Sequence, residues 1–255
     1  MTAAATIEVR REKEIAVLTL NRPRRRNALT REVREGLAEL LTALAADDTV
    51  RAVVVASREQ AFSAGQDLVE AKEFAPEEIV GWIDEHMALY RAVLAFPKPV
   101  VAAVDGCCVG AGFQFALLCD IRVAADTAFF AMPELDDAIP CILGVWTLYD
   151  IIGRGRTTEM ALTNRRVYAP EAREWGLVAE VVAGDPTPRA LELADLLAAK
   201  PALALRLTKA RLELLALEGS DSLAVHAQLA HMRAFASGEP AKAMEKFLSY
   251  GRPES

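Results

Sequence analysis

Long apolar runs, paired cysteines and clustered histidines are all scarce in this sequence, and each scarcity excludes a class of protein. The most apolar stretch, residues 92–119, is interrupted by Pro97, Lys98, Pro99, Asp105 and Gln114. It therefore falls short of the roughly 20 uninterrupted apolar residues that a membrane-spanning helix needs. The first eleven residues also lack the apolar centre of a signal peptide. We expect a protein that is located in the cytoplasm and not in a membrane.

The four cysteines and three histidines show no spacing that is typical of a metal or redox site. No two cysteines form a C-x-x-C pair, and the neighbours Cys107 and Cys108 are poorly placed to bridge one another. We expect buried free thiols, as in a reducing compartment. His226 and His231 fall in an amphipathic helical segment and are expected at the surface or in an interface. No metal and no separate cofactor is predicted.

The charge balance is acidic, with 29 basic and 36 acidic side chains and a net charge of −7. A protein whose main partner is nucleic acid needs a basic footprint for the phosphates, so this class is excluded. The basic residues are nevertheless concentrated in one loop, at Arg22, Arg24, Arg25 and Arg26. Such a run is either a solvated loop or a clamp for a phosphorylated ligand, because guanidinium groups match phosphate oxygens.

Strand-like and helix-like segments alternate over the first two-thirds of the chain. The continuous apolar runs at 52–56 and 100–104 predict strands that are covered on both faces. Residues 112–119 are apolar on nearly every side, which predicts a buried helix. Two further helices are predicted at 145–152 and 157–162, and a last strand at 177–182.

Beyond about residue 188 the pattern is helical only. Four helices are predicted at 190–200, 202–217, 222–236 and 240–250. The chain is therefore predicted to hold an α/β core over residues 1–188 and a helical region over residues 189–255. The helices of that region are apolar enough to indicate docking on other subunits.

Two segments place small residues directly after predicted buried strands. They are AFSAGQDL at 61–68 and GAG at 110–112. Bends without bulky side chains let backbone amides approach a ligand, and amides at a helix N-terminus favour a developing anion. Taken alone, 61–68 could also be an ordinary strand-to-helix turn. Two such bends on successive strand–helix units indicate one site with two donors, the arrangement that holds a thioester oxygen as it becomes an enolate.

Four ordered motifs resemble the enoyl-CoA hydratase/isomerase, or crotonase, family. They are LNRP at 20–23 with NAL at 27–29, AFSAGQDL at 61–68, AVDGCCVGAGFQFALLCD at 103–120 and MPE at 132–134. The later segments LTNRR at 162–166 and WGLV at 175–178 also resemble the family. The resemblance covers nearly the whole chain.

The resemblance implies an α/β fold, a crotonase-like spiral of ββα units with a C-terminal helical trimerisation region. A homotrimer or a dimer of trimers is then expected. The two amides of the oxyanion hole would be those of Gln66 and Ala111. The partner would be an acyl-CoA thioester, with coenzyme A present only as part of the substrate. Its binding residues would be Arg24, Ala28, Ala64, Asp67, Leu68 and Gly110.

Family hydratases commonly carry two glutamates, and here the matching positions are Gln114 and Glu134. A glutamine can position water or substrate but cannot exchange a proton at neutral pH. Glu134 can, especially if burial raises its pKa, although it could instead cap a nearby backbone. A single base favours the shift of a double bond in an enoyl-CoA over the addition of water.

The pair Asp136 and Asp137 leaves an alternative open. Either aspartate could enter the site and replace the missing carboxylate, or both could be solvated or cap the next helix. Our hypothesis makes Glu134 the main base and Asp137 a possible assistant. The alternatives are a hydratase in which Gln114 and Asp137 assist Glu134, and a family member that binds acyl-CoA without catalysis. The acyl chain depends on how five aromatic residues pack: Trp82, Tyr90, Phe113, Trp146 and Tyr149.

Overall fold

The computed structural model describes residues 6–59, 61–216 and 220–250. The strands are β1 (Ile7–Glu12), β2 (Ile15–Leu20), β3 (Ala52–Ser57), β4 (Ala61–Ser63), β5 (Val100–Val104), β6 (Cys107–Val109), β7 (Ile121–Ala125), β8 (Phe129–Ala131), β9 (Val167–Tyr168) and β10 (Glu180–Val182). The helices are α1 (Arg31–Ala46), α2 (Leu68–Ala71), α3 (Ile79–Leu94), α4 (Gly110–Leu118), α5 (Ile142–Thr163), α6 (Ala169–Trp175), α7 (Thr187–Ala198), α8 (Ala202–Ala216), α9 (Ser220–Ala236) and α10 (Glu239–Tyr250).

Six strands form the larger sheet, in the order β1-β2-β3-β5-β7-β10. The pair β1 and β2 is an antiparallel hairpin, and the other neighbours are parallel. Alternate residues of β3 pack on opposite faces, with Val53 and Val55 in one hydrophobic cluster and Val54 in the other. The two predicted buried runs are thus central strands of this sheet.

Helices cover both faces of the larger sheet. On one face α1 and α3 contribute to the main core, and on the other α7 packs through Ala190, Ala194 and Ala198. The sequence division at residue 188 assigns nearly all of α7 to the C-terminal region. In the structure this helix completes the second face of the sheet.

The smaller sheet has the order β4-β6-β8-β9 and brings the two predicted bends together. Strands β4 and β6 are parallel, with Ser63 opposite Cys108. Since parallel neighbours end at the same edge, the segments after β4 and β6 leave the sheet side by side. These strands have only three residues each, too few for an alternating pattern to predict them.

The helices predicted at 145–152 and 157–162 lie on either side of Gly153, whose φ of 73° breaks α5 into two helices. Two other sequence predictions need correction in detail. The last strand begins at Glu180 rather than at 177. His231 is buried against the Trp82 ring and is not a surface residue, whereas His226 is exposed.

The C-terminal helices pack on the core of their own chain but leave part of their surface apolar. Helix α9 contacts α3 and α5, and α10 contacts α9 and α2. Several leucines of α8 and α9 are more than half exposed: Leu203, Leu207, Leu212, Leu214 and Leu229. Within the described residues, no helix combines the length and apolarity needed to cross a bilayer.

Candidate active site

The two predicted bends are in direct contact. Gly65 has φ of +87°, and a Cβ atom added there would lie 2.6 Å from the Val109 carbonyl oxygen and 3.2 Å from the Ala111 nitrogen. A side chain at residue 65 would therefore separate the bends. The backbone amides of Gln66 and Ala111 belong to adjacent segments, as a shared oxyanion hole requires.

The first bend is held by side chains and backbone of the segment around Asn27. The Asn27 Nδ2 group donates to the Ala61 carbonyl at 2.6 Å, and Ser63 Oγ donates to the Asn27 carbonyl at 2.8 Å. The Leu29 N–H donates to the Gly65 carbonyl at 2.7 Å, and the Asp67 N–H donates to the Leu29 carbonyl at 3.3 Å. The backbone N–H of Gln66 lies between these two bonds and donates to none of the described residues.

The second bend is the N-terminus of α4. Gly110 has φ of +53°, and no side chain caps the helix. The Ala111 N–H is one of the first four helical amides, which have no partner within the helix. Gly112 packs against the first bend, because a Cβ there would lie 2.4 Å from the Ser63 side chain. Both amides are therefore available to a ligand anion.

Glu134 lies beside the second bend, in a short 3-10 helix over Glu134–Asp137. Its Oε1 accepts a hydrogen bond from Gln114 Nε2 at 2.8 Å and lies 3.6 Å from the position of a Cβ added at Gly110. Its Oε2 is buried and has no hydrogen-bond partner among the described residues. This oxygen is therefore free to accept a hydrogen bond or a proton.

Burial raises the pKa of Glu134 to about 7. The Gln114 amide and the Cys141 thiol stabilise the charged form and partly oppose this shift, while the nearby Asp137 charge adds to it. Burial also raises the pKa of Cys141, so its thiol stays protonated at neutral pH. A carboxyl group with a pKa near the working pH is suited to both accepting and returning a proton.

Tyr90 fixes the orientation of Gln114. The Tyr90 hydroxyl donates to Gln114 Oε1 at 2.5 Å, which turns the amide NH₂ group toward Glu134. Tyr90 is fully buried on α3, 24 residues from Gln114 in sequence. From the sequence, Tyr90 was considered only as one of five aromatic residues that could shape the acyl pocket. Its contact with Gln114 was not predicted, because no local pattern shows which side chain a tyrosine of α3 will contact.

The two aspartates after Glu134 have different environments. Asp136 accepts a hydrogen bond from the Asn164 side chain at 2.7 Å, in an exposed contact. Asp137 is buried and close enough to Glu134 for its charge to affect that pKa. Of the two, Asp137 is the one placed next to the candidate base.

The arginine-rich loop divides into one inward residue and three exposed ones. Arg22 forms an ion pair with Asp67 at 3.1 Å and donates to the Ala28 carbonyl at 2.6 Å. Asp67 also caps α2 by accepting from the Val69 N–H. Arg22 and Asp67 therefore brace the first bend, while residues 24–26 face solvent.

A cavity of about 450 Å³ lies between α5, α8 and α9, and Cys141 is one of its lining residues. Cys141 faces both Glu134 and this cavity. Trp146 and Tyr149 line it, whereas Trp82, Tyr90 and Phe113 are buried in the core. The four cysteines are all free and buried, as expected. No cluster of three or more potential metal ligands occurs in the part of the chain that the structure describes.

Two adjacent backbone amides with a buried carboxyl group beside them form an arrangement that is chemically able to stabilise an oxyanion. The chain belongs to the enoyl-CoA hydratase/isomerase family, whose model matches residues 10–253. It is therefore an acyl-CoA-transforming enzyme of the crotonase superfamily. The resemblance found in the motifs is confirmed.

Two curated relatives show the range of reactions in the family. The carboxymethylproline synthase of Pectobacterium carotovorum subsp. carotovorum is 40% identical over 199 residues, which is 77% of this chain and 80% of that protein. The 1,2-epoxyphenylacetyl-CoA isomerase of Escherichia coli (strain K12) is 37% identical over 204 residues, 78% of each chain. The relatives thus share the family but not one reaction.

The fold is confirmed by solved structures. An enoyl-CoA hydratase/isomerase from Mycobacterium paratuberculosis superposes with a TM-score of 0.89 at 29% identity, covering 96% of this chain and 100% of the other. The mixed α/β core followed by a helical region is therefore the crotonase fold that the motifs implied.

Proposed function

We propose that this enzyme shifts the double bond of an enoyl-CoA thioester, with Glu134 as its single base. The observation that carries the proposal is the pairing of one buried carboxyl group with a fixed neutral amide. Glu134 has a pKa near 7, and the Gln114 NH₂ group donates to it at 2.8 Å. Family hydratases commonly carry glutamates at the positions of Gln114 and Glu134. In this chain only Glu134 can exchange a proton.

The proposed reaction begins with proton removal from the α-carbon of a 3-enoyl thioester. Glu134 takes this proton, and the electron pair moves onto the thioester oxygen to give a dienolate. The amides of Gln66 and Ala111 stabilise the new negative charge, and one such donor contributes about 10²–10³-fold in rate. Glu134 then returns the proton at the γ-carbon, which yields the conjugated 2-enoyl thioester. Nothing is added or lost.

The cavity beside Cys141 supports an acyl group of appreciable size. The lining face of α5 continues from Ile142 to Asp150, a distance of about 12 Å at the helical rise of 1.5 Å per residue. Its walls include Trp146, Leu215 and Leu223. We propose that the acyl chain leaves Glu134 along this face. Coenzyme A is proposed to contact Arg24, Ala28, Ala64, Asp67, Leu68 and Gly110.

The decisive experiment offers 2-enoyl- and 3-enoyl-CoAs of several chain lengths and records product mass and ultraviolet absorbance. A double-bond shift leaves the mass unchanged, and hydration adds one water. Glu134→Gln is expected to remove the reaction, and the surface variant Glu159→Gln serves as the matched control. Activity that survives Glu134→Gln unchanged would exclude Glu134 as the base.

Hydration is the first alternative, and the burial of Asp137 next to Glu134 supports it. In that case Asp137 and Gln114 would assist in positioning water. A gain of one water with 2-enoyl-CoAs, lost in Asp137→Asn, would favour it. If acyl-CoAs bind but none is converted, the result would favour the remaining alternative, a family member that binds acyl-CoA without catalysis.

Carbon–carbon bond formation is a second candidate, favoured by the 40% identity to a carboxymethylproline synthase. An enolate held by the two amides can attack an electrophilic carbon instead of taking a proton. A malonyl thioester forms such an enolate by losing carbon dioxide. Supplying malonyl-CoA with a proline-type cyclic imine, and following carbon dioxide release and product mass, tests this reaction in parallel.

The exposed leucines of α8 and α9 support assembly as a homotrimer or a dimer of trimers. Large apolar side chains that are exposed in the single chain are typical of protein interfaces when they lie together. Light scattering over a range of protein concentrations measures the assembly directly. A cytoplasmic location is part of the same proposal, and fractionation of cells that express the protein tests it.

A further inference from the structure

A fully buried arginine lies directly behind the first bend. Arg34, on α1, donates from Nη1 to the Gln66 side-chain oxygen at 2.9 Å and to the Leu29 carbonyl at 3.0 Å. Its Nη2 group bonds to Glu85 at 2.6 Å. One guanidinium group therefore connects the bend, the segment that pairs with it, and α3.

The side chain of Gln66 is fixed at every hydrogen-bonding position. Its oxygen also accepts from the Trp82 indole at 3.1 Å, and its nitrogen donates to Glu70 at 3.0 Å and to the Asp67 carbonyl at 3.2 Å. A glutamine amide has two donor and two acceptor positions, and all four are used here. The residue cannot rotate without breaking several bonds.

Burying an arginine is energetically expensive unless its charge and its donors are matched. Here Glu85 and Glu70 match the charge of Arg34, at 2.6 Å and 3.5 Å. The Arg34 guanidinium group restrains the side chain of Gln66, and the free backbone N–H belongs to the same residue. The restraint is thus applied at one of the two amides that face the ligand.

We propose that Arg34 is a positioning residue, which together with Trp82 holds the Gln66 side chain and thereby sets the direction of the Gln66 N–H in the oxyanion hole. This inference rests on the proposed function. Displacement of a catalytic group by 1 Å can lower a rate by about a hundredfold. We call the bonds from Arg34 and Trp82 to the Gln66 side chain the Gln66 clamp. Loss of this clamp is expected to weaken transition-state binding more than substrate binding.

Gln66→Ala tests the clamp, because it keeps the backbone N–H and removes every side-chain contact. Arg34→Lys keeps the charge but cannot bond to Gln66, Leu29 and Glu85 together, since an ammonium lacks the planar fork. For both variants we expect kcat to fall about tenfold or more, with a much smaller change in KM. Thermal unfolding is recorded for each.

The readout that separates positioning from a structural role is the binding of two unreactive ligands. One is a saturated acyl-CoA, and the other is an acyl-CoA analogue that carries a nitronate in place of the enolate. The clamp predicts that the preference for the nitronate falls with kcat, while affinity for the saturated thioester is retained. Arg31→Ala is the matched control, because Arg31 pairs with the same Glu85 at 2.7 Å but, among the described residues, forms no hydrogen bond with Gln66.

If Gln66→Ala keeps the wild-type kcat and the wild-type preference for the nitronate over the saturated acyl-CoA, the proposal that the clamp positions the Gln66 N–H is wrong. The proposed oxyanion hole is not affected by that result. A wild-type enzyme without this preference would overturn the oxyanion hole itself, and the clamp with it. If Arg34→Lys does not fold, Gln66→Ala and Trp82→Phe decide the question. Trp82→Phe removes a single donor and is expected to have the smaller effect of the two.

Discussion

The two halves of the proposed active site are built in different ways. The proposed oxyanion half consists of backbone amides, brought together because Gly65 and Gly112 allow two bends to touch. The acid–base half consists of side chains from separate elements, with Gln114 placed between Tyr90 and Glu134. The first half depends on the absence of side chains, and the second depends on their contacts. Each should therefore fail in its own way.

The largest expected effect comes from breaking the backbone half. Gly65→Ala places a Cβ atom 2.6 Å from the Val109 carbonyl, at a φ of +87° that alanine rarely adopts. We expect kcat/KM to fall about 10²–10³-fold, because the bends must separate. Steady-state kinetics with the best enoyl-CoA measures it.

Gly81→Ala is the control for that experiment, since a Cβ atom at this α3 glycine meets nothing within 4 Å. It should leave activity as it is. Equal activity in Gly65→Ala and Gly81→Ala would mean that close contact between the bends is not needed.

Breaking the side-chain half should increase stability while removing activity. The folded-state pKa of Glu134 is raised from 4.5 to about 7, so the ionised form destabilises the fold. This penalty is absent below the unfolded pKa and is fully present above about pH 7. At pH 8, Glu134→Gln should therefore raise the free energy of unfolding by up to about 3 kcal/mol.

Chemical denaturation at pH 8 and at pH 5 measures this difference. The stabilisation should shrink toward pH 5, where the wild-type carboxyl group is protonated. A variant that is equally stable to wild type at both pH values would show that the carboxylate is solvated and not buried.

Asn27 tests how far the backbone half itself needs side-chain support. Its amide bonds to the Ala61 carbonyl at 2.6 Å and to the Arg58 carbonyl at 3.1 Å. Since these carbonyls would lose their partner, Asn27→Ala should reduce the free energy of unfolding by about 2 kcal/mol and lower activity as well.

Asn164→Ala is the control for Asn27→Ala. Both asparagines have positive φ, but the side chain of Asn164 makes only an exposed contact, with Asp136. Urea denaturation should show a clearly smaller loss for Asn164→Ala. Equal losses would assign the effect to backbone conformation and not to support of the bend.

The smallest effect is a shift in pH dependence. Proton removal needs the Glu134 carboxylate, so the rate should rise with pH through about 7. Asp137 contributes to the raised pKa through its charge. Asp137→Asn should therefore lower the pKa of Glu134 and move the rise to lower pH, whereas Asp136→Asn should leave it in place. Profiles of kcat/KM against pH that coincide for all three proteins would exclude this coupling.

Much of the backbone half could be predicted from the sequence, because its signals are local. Continuous apolar runs gave β3 and β5, and small residues after them marked the bends. The proposed oxyanion residues, Gln66 and Ala111, follow from the family motifs, and they occupy adjacent segments in the structure. The short strand β4 was missed, since three residues carry no periodicity.

The side-chain half was only partly predictable. Motif positions gave Glu134 and Gln114, but the contact of Gln114 with Tyr90 joins two helices and has no local signal. The same is true of Arg34, which approaches Gln66 across 32 residues of sequence. His231 was expected at the surface or in an interface because its helix is amphipathic, yet packing within the chain buries it against Trp82.

The central claim is that the two amides and Glu134 together form a thioester enolate. Exchange of the α-protons of a saturated acyl-CoA in deuterated water, followed by mass spectrometry, tests it without assuming any final product. We expect the enzyme to catalyse deuterium incorporation, and we expect both Gly65→Ala and Glu134→Gln to abolish it. Exchange at the wild-type rate in either variant, or none in the wild-type enzyme with acyl-CoA bound, would contradict it.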